Sequence, residues 1–287
     1  MLISTNILRD ENIDFDYIVT ENSQKIFESI HRSKGTGQKC FNLIGSYGTG
    51  KSSFLLALEQ TLRGTKLFFD RKIKKVEDVP LFIKLIGTPI SIREALAKEL
   101  KLSKNSKIDK ILDAIEKKQK SGREVFVLVD ELGKFIEYAL NNNPKEETYI
   151  FQRIAEFFND ASKSIFWIGT LHQNIDRYAT EASEADSLEW EKVSGRFITL
   201  NFNEPPTTLL ELIAKKIDKT KASSKMSAIS KANKLIADSK LIPDGFIQSA
   251  ERLKKECSPF DALTSFLAIS VLQEYGQNER SIFTFLS

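Results

Sequence analysis

Between positions 45 and 53 the chain reads Gly45-Ser46-Tyr47-Gly48-Thr49-Gly50-Lys51-Ser52-Ser53, residue types and spacing that suit the holding of a polyphosphate. Gly45, Gly48 and Gly50 open backbone dihedrals closed to other residues, so the N–H groups around Ser46, Tyr47 and Thr49 can turn inward as an anion nest. Lys51 adds a point charge able to reach the outer phosphates. The Ser52 hydroxyl is placed to bind Mg2+, and the helix that opens at Ser53 directs its positive dipole end at the same anion. An apolar strand before and an amphipathic helix after complete the context that a P-loop, Gly-x-x-x-x-Gly-Lys-Ser, requires.

A second stretch supplies carboxylates. Glu124-Val125-Phe126-Val127-Leu128-Val129-Asp130-Glu131 is a β-branched, nearly uncharged run of the length of one buried parallel strand, and it ends in two adjacent acids. Active sites in open α/β sheets lie at the carboxyl ends of strands, which brings Asp130 beside the P-loop to hold Mg2+ through its water shell, as a Walker B motif. Glu131, one residue on, can orient or deprotonate an attacking water. The competing explanation, a strand followed by a solvated acidic turn, loses force once a P-loop precedes it. Ser164 to Thr170 reads as another strand with a polar end; Thr170 is the first candidate to sense a terminal phosphate, with His172 and Gln173 as close alternatives.

The elements that must position these groups follow from apolar spacing. Thr20 is an N-cap for a helix whose apolar positions Ile26, Phe27 and Ile30 share one face. Strands are expected at Cys40–Ile44, Leu81–Gly87, Val125–Asp130, Ser164–Thr170 and Phe197–Phe202. Ser91 caps a helix to Leu100; Ile108, Ile111, Leu112 and Ile115 mark another; Gln152–Phe158 marks a third. Past Pro205-Pro206 the pattern turns helical: Thr207–Ile217, Met226–Ser239, Gly245–Lys255 and Ala262–Glu274. The expected fold is an α/β P-loop NTPase, a five-stranded parallel sheet with flanking helices, followed by a smaller all-helical domain. The boundaries are a leader over 1–37, an ATPase core over 38–205 and helices over 206–287.

The 287 residues carry 41% hydrophobic content and a net charge of +3, enough for a large core and too balanced to announce a nucleic-acid binder. The lysines at 117, 118 and 120 read as a solvated helix end that complements the dipole, and the lysine-rich segment 215–240 has no interleaved aromatics for base stacking. Cys40 and Cys257 lack metal or disulfide spacing, and no apolar run approaches the ~18 residues that span a bilayer. A reducing, cytoplasmic setting without a membrane anchor is the expectation. The ending Arg280-Ser281-Ile282-Phe283-Thr284-Phe285-Leu286-Ser287 has no helix stop or polar tail, so a longer protein is expected to continue past it.

Taken together, the order of parts resembles the AAA+ ATPases, and more narrowly their initiator-like branch, which includes the origin-recognition and Cdc-type loaders and related signalling ATPases. That resemblance implies ATP or ADP with Mg2+ as cofactors. It also implies an adenine pocket lined by a leader segment like Tyr17, Ile18 and Val19, and a helical lid over the nucleotide. It gives Arg196, in Gly195-Arg196-Phe197, the role of an arginine finger reaching a neighbouring subunit's ATP. Arg280 takes that of the lid arginine called sensor two, although the usual Gly-Asp-x-Arg spacing is one residue shorter than Gly276-Gln277-Asn278-Glu279-Arg280. For either arginine a surface salt bridge is the plain alternative. The phrases Gly48–Phe54, Asp130–Phe135 and Gln277–Phe283 also look like the amino-terminal ATPase region of large bacterial phage-defence ATPases, such as those of BREX-type systems, which implies a place in a multi-protein defence complex.

The leading expectation is therefore an ATP-hydrolysing module: Lys51 and the loop amides on the phosphates, Ser52 and Asp130 on Mg2+, Glu131 on the water, Arg196 completing the site in an oligomer. Protein partners are expected and DNA is an open cargo. The alternative is a nucleotide-gated switch or scaffold with negligible turnover. A small-molecule kinase is disfavoured, because the adjacent carboxylates fit water activation.

Overall fold

Strand burial sorts the sheet into a middle and two edges. A computed structural model of the protein describes residues 6–10, 13–70, 79–119, 123–179, 184–217 and 226–275. Strand β3 (Val125–Asp130) and strand β4 (Ile165–Leu171) are buried along their whole length, as expected for apolar parallel strands covered on both faces. Strand β1 (Cys40–Ile44) is nearly so, whereas β5 (Ile198–Asn201) alternates between half-buried and exposed residues. With β2 (Leu81–Ile86) these form one parallel sheet in the order β2-β3-β4-β1-β5, which puts β2 and β5 at the edges. Cys40 to Ile44 lie against Trp167 to Leu171 on one side, and Phe41 to Ile44 against Ile198 to Asn201 on the other. The P-loop strand therefore sits between its neighbours β4 and β5.

Helix α1 (Glu21–Arg32) is started by a capping box: Ser23 N–H donates to Thr20 Oγ1 at 3.0 Å and Thr20 N–H to Ser23 Oγ at 2.9 Å. Such a cap contributes about 1 kcal/mol. Its buried Phe27 stacks on Phe69 with centroids 4.6 Å apart, and Phe69 meets Phe54 of helix α2 (Lys51–Arg63) edge-on at 5.4 Å. Phe54 and Phe69 are almost fully buried, each contributing roughly 2–3 kcal/mol of apolar transfer. Aromatic packing thus anchors the leader helix to the helix that follows the P-loop. Lys66 adds a staple, donating to Asp14 Oδ1 at 2.6 Å and to the Phe15 carbonyl at 2.8 Å.

Helices α3 (Ile92–Glu99), α4 (Ile108–Gln119), α5 (Gly133–Asn141), α6 (Pro144–Phe158), α7 (Ile175–Tyr178) and α8 (Glu184–Ser194) complete this part. Ser91 caps α3 as expected, accepting from Arg93 N–H. Helix α6 begins eight residues before the expected Gln152, because Pro144 at its first position and Glu146 and Glu147 in its first turn give a good helix start. Helices α5, α7 and α8 had no expectation. The apolar face of α5 starts directly behind the Asp130-Glu131 turn and so is hidden in the strand's own apolar run.

The chain divides into two compact units, one of Thr5–Gly45 with Lys51–Phe202, the other of Ser46–Gly50 with the chain from Asn203. The second contains helices α9 (Pro206–Lys216), α10 (Met226–Ser239), α11 (Asp244–Arg252), α12 (Lys254–Cys257) and α13 (Ala262–Tyr275). The helix expected over Gly245–Lys255 is two, separated at Leu253. Asn233, almost wholly buried, pins three of these helices: its Nδ2 donates to Glu251 and its Oδ1 accepts from Ala262 N–H, both at 2.8 Å. Among the described residues no helix is long and apolar enough to cross a membrane, and both cysteines are buried thiols.

Candidate functional site

The carboxyl end of β3 is built from the backbone outward. Asp130 is 5% exposed, and its Oδ1 accepts from Thr170 Oγ1 at 2.6 Å across from β4. The same hydroxyl accepts from Glu131 N–H at 2.9 Å, and Leu132 N–H donates to the Thr170 carbonyl at 3.0 Å. Thr170 therefore fixes both the Asp130 carboxylate and the turn that follows it. Glu131 adopts a left-handed φ of +54°, which costs a non-glycine residue about 1 kcal/mol. The turn is braced from β2 as well: Gly87 N–H donates to the Asp130 carbonyl at 2.8 Å. A Cβ at Gly87 would lie only 2.0 Å from the Glu131 carbonyl oxygen, so this close approach of two backbones requires glycine.

Lys51 opens α2 almost completely buried, and its Nζ donates to the Gly45 carbonyl at 2.6 Å. Burial pushes its pKa down to about 8, against the favourable charge of Asp130. Asp130 is shifted the other way: burial raises its pKa, while hydrogen bonds from Thr170 and Ser52 oppose the rise. The Ser52 hydroxyl and the Asp130 carboxylate thus meet at the first turn of α2. Two hard oxygens are what a Mg2+ ion takes from a protein when phosphate oxygens and water fill the rest of its octahedron, so this donor pair fits that ion. His172, just past β4, is kept uncharged: burial first, then the Lys51 charge, bring its pKa down to about 4, against a hydrogen bond with the Gly45 backbone. One end of the sheet therefore gathers Gly45, Lys51, Ser52, Asp130, Glu131, Thr170 and His172.

In the other unit, Gly48 and Gly50 have φ of +71° and +92°, the backbone freedom a phosphate loop needs. Thr49 Oγ1 donates to the Ser46 carbonyl, and Ser46 N–H to Asn203 Oδ1, both at 2.9 Å. Tyr47 is exposed, whereas Tyr17, Ile18 and Val19 of the leader are half-buried, with the Tyr17 ring edge-on to Phe68 and tilted on Phe69. Gln173 is half-buried two residues past β4. Ser53 lies in the first turn of α2.

Arg196 stands apart from this group. It precedes β5 and so lies at the amino-terminal edge of the parallel sheet, opposite the strand ends that carry Asp130 and Thr170. Its Nη2 is 3.4 Å from Glu156 Oε1, and Asn159 Nδ2 donates to its carbonyl at 2.8 Å. Arg280 lies outside the described residues. Two participants escaped the sequence reading: Gly87, whose only signal is a glycine ending a strand, and Lys134, three residues beyond Glu131, whose Nζ is 2.5 Å from Glu131 Oε2. The Glu131/Lys134 spacing, acid before base by three residues, was the legible clue.

No protein-family model matches the chain, and no curated protein matches it. Solved structures do. Domain III of the Thermotoga maritima replication initiation protein DnaA is 13% identical over 94% of this chain and 93% of its own, with a TM-score of 0.40. The Aeropyrum pernix ORC2 protein, solved as ADPNP-ADP complexes, is 12% identical over 94% and 68%, with a TM-score of 0.42. Caenorhabditis elegans PCH-2 is 12% identical over 96% and 70%, with a TM-score of 0.40. The fold itself is read from the chain's own geometry. Sheet order β2-β3-β4-β1-β5, a P-loop leaving β1 and a Walker B acid ending β3 make this a P-loop protein with the AAA+ fold.

Proposed function

We propose that the protein binds and hydrolyses ATP and passes its nucleotide state to an assembly. The observation that carries this reading is the cluster at the carboxyl end of the sheet, where a buried, charge-starved Lys51 stands by an Asp130 fixed by Thr170 and Ser52. Lys51 and the amides of Ser46, Tyr47, Gly48, Thr49 and Gly50 hold the phosphates, with Gly45 and Ser53 at the two ends of the loop. Ser52 and Asp130 hold Mg2+, which when bound supplies charge neutralisation to the transferring phosphoryl group. Glu131 accepts the proton of the attacking water. Thr170 keeps Asp130 and the Glu131 turn in place, and His172, neutral at physiological pH, offers a hydrogen-bonding ring where a terminal phosphate is sensed.

Tyr17, Ile18 and Val19 receive the base, and Arg196 acts on the nucleotide of a neighbouring copy. Its place at the far edge of its own sheet supports action in trans. The helices after residue 205 serve as the lid, with Arg280 as its phosphate contact. The hydrogen bond from Ser46 N–H to Asn203 supports a link between loop and helical segment. The motif phrases shared with phage-defence ATPases support a cytoplasmic role in a multi-protein defence complex, with protein partners and DNA as its objects.

Glu131→Gln tests the core of this reading. It is expected to retain ATP while turnover drops by about 100-fold or more. Turnover equal to that of the parent chain removes Glu131 from the mechanism.

A further inference from the structure

Strand β4 carries a glycine, and two buried polar atoms converge on the space its missing side chain leaves. Asn42 of β1 is paired in register with Gly169 of β4, and Trp167 stands two residues before Gly169, so the three share one face of the sheet. Their neighbours on that face are apolar: Cys40 lies beside Trp167, and Val129 of β3 beside Gly169. Asn42 is 1% exposed and Trp167 0%, yet Asn42 Oδ1 and Trp167 Nε1 have no hydrogen-bond partner among the described residues. Measured from the point where a Cβ would stand on Gly169, Oδ1 is 3.0 Å away and Nε1 3.4 Å, and the Leu132 Cδ2 methyl closes the space at 2.6 Å.

Buried polar atoms in folded proteins are almost always satisfied, by protein or by ordered water. Whatever satisfies this pair must accept a proton from the indole N–H and donate one to the carboxamide oxygen. A metal cation cannot accept, a simple anion cannot donate, and a methyl group does neither. Water does both, and it is the ligand held by internal sites with two or more polar walls. We propose that one water molecule is built into the sheet beside Gly169, bridging Trp167 Nε1 to Asn42 Oδ1. It ties β1, which leads into the phosphate loop, to β4, which carries Thr170. The reversed carboxamide would set two donors against each other, so the bridge also fixes which way Asn42 faces. It does not depend on the hydrolytic reading above.

The chain has two tryptophans, so the Trp167 indole resonance in nitrogen-15 NMR is the one that survives Trp190→Phe or disappears in Trp167→Phe. On the full chain this N–H is expected to show a rotating-frame cross-peak to the water signal, with the sign of through-space contact, which is opposite to that of proton exchange. Asn42→Leu should abolish the cross-peak. Gly169→Ala, whose methyl takes up the same space once the tip of Leu132 shifts, should abolish it too, and serves where Asn42→Leu does not fold. A parent indole without the cross-peak overturns the water, and so does a cross-peak that persists in either variant. Denaturant titrations give a second reading. Asn42→Leu and Trp167→Phe each leave one wall of the site without its counterpart and should lower the folding equilibrium constant by about tenfold, whereas the double variant leaves neither and should lose at least about threefold less than the product of the two. Losses that simply multiply overturn the bridge.

Discussion

Two lysines flank strand β1, one just before it and one past the loop that leaves it, and both are buried, yet the protein treats their charges in opposite ways. Lys39 is 0% exposed, and its Nζ donates to the Asp160 carbonyl at 2.6 Å and to the Lys163 carbonyl, tying down the turn between α6 and β4. Asn159 completes the arrangement, its Oδ1 accepting from the backbone N–H groups of Lys39 and Cys40 at 2.8 and 3.2 Å. Lys51 is 7% exposed and bonded to Gly45, the first residue of its own phosphate loop. Burial lowers the basicity of both, but Lys39 has fixed carbonyls from the turn between α6 and β4, while Lys51 has the carbonyl of Gly45 at the start of its own glycine-rich loop. The first cation is enclosed by carbonyls of another segment; the second, proposed to receive a ligand, lies beside the glycines of its own loop.

This contrast can be broken by exchanging each lysine for methionine. Lys51→Met is expected to weaken ATP binding by roughly a hundredfold, since it removes a charge-assisted contact to phosphate, while calorimetric Tm without nucleotide holds or rises. Lys39→Met is expected to do the reverse. It leaves two carbonyls of the α6–β4 turn without their donor and should cost about 2–3 kcal/mol of stability in denaturant titrations, with ATP affinity within about twofold. If both variants lose stability and keep affinity, the distinction between the two lysines fails.

A subtler test sharpens the same comparison through pH. A Lys51 pKa of about 8, below the usual 10.5, means that between these values the unfolded chain binds a proton the folded chain lacks, so this group's contribution makes stability rise with pH across that window. Below about pH 8 its cost, roughly 3 kcal/mol, is fully present. Bound phosphate restores the proton. ATP affinity is therefore expected to be flat below pH 8 and to weaken above it by up to about tenfold per unit in isothermal titrations, a slope absent from Lys51→Met.

Much of the fold was legible because its strands are short apolar runs that end in chemistry. Cys40–Ile44 and Val125–Asp130 coincide with the observed strands, and Thr20 and Ser91 cap the helices expected of them. What escaped depends on contacts between segments distant in sequence. Nothing local in Lys39 says that its ammonium ties down the turn after α6, and nothing local in Thr170 says that its hydroxyl holds Asp130 from the next strand. Helix α8 has little apolar periodicity of its own, because Trp190 and Val193 carry its burial. Residue types suggested the chemistry proposed for Lys51 and Asp130; which groups restrain these two side chains was written in pairings that only the folded sheet creates.

The packing of Gly87 on Glu131 bears on how this chain can change over generations. A methyl group at position 87 has no room against the carbonyl beside it, and every larger side chain begins with that methyl. The position is closed to drift, although it carries no chemistry. In a library of random variants selected for function, substitutions at Gly87 should disappear as completely as those at Lys51, so a map of tolerated mutations would mark the residue just past edge strand β2 as part of the proposed site.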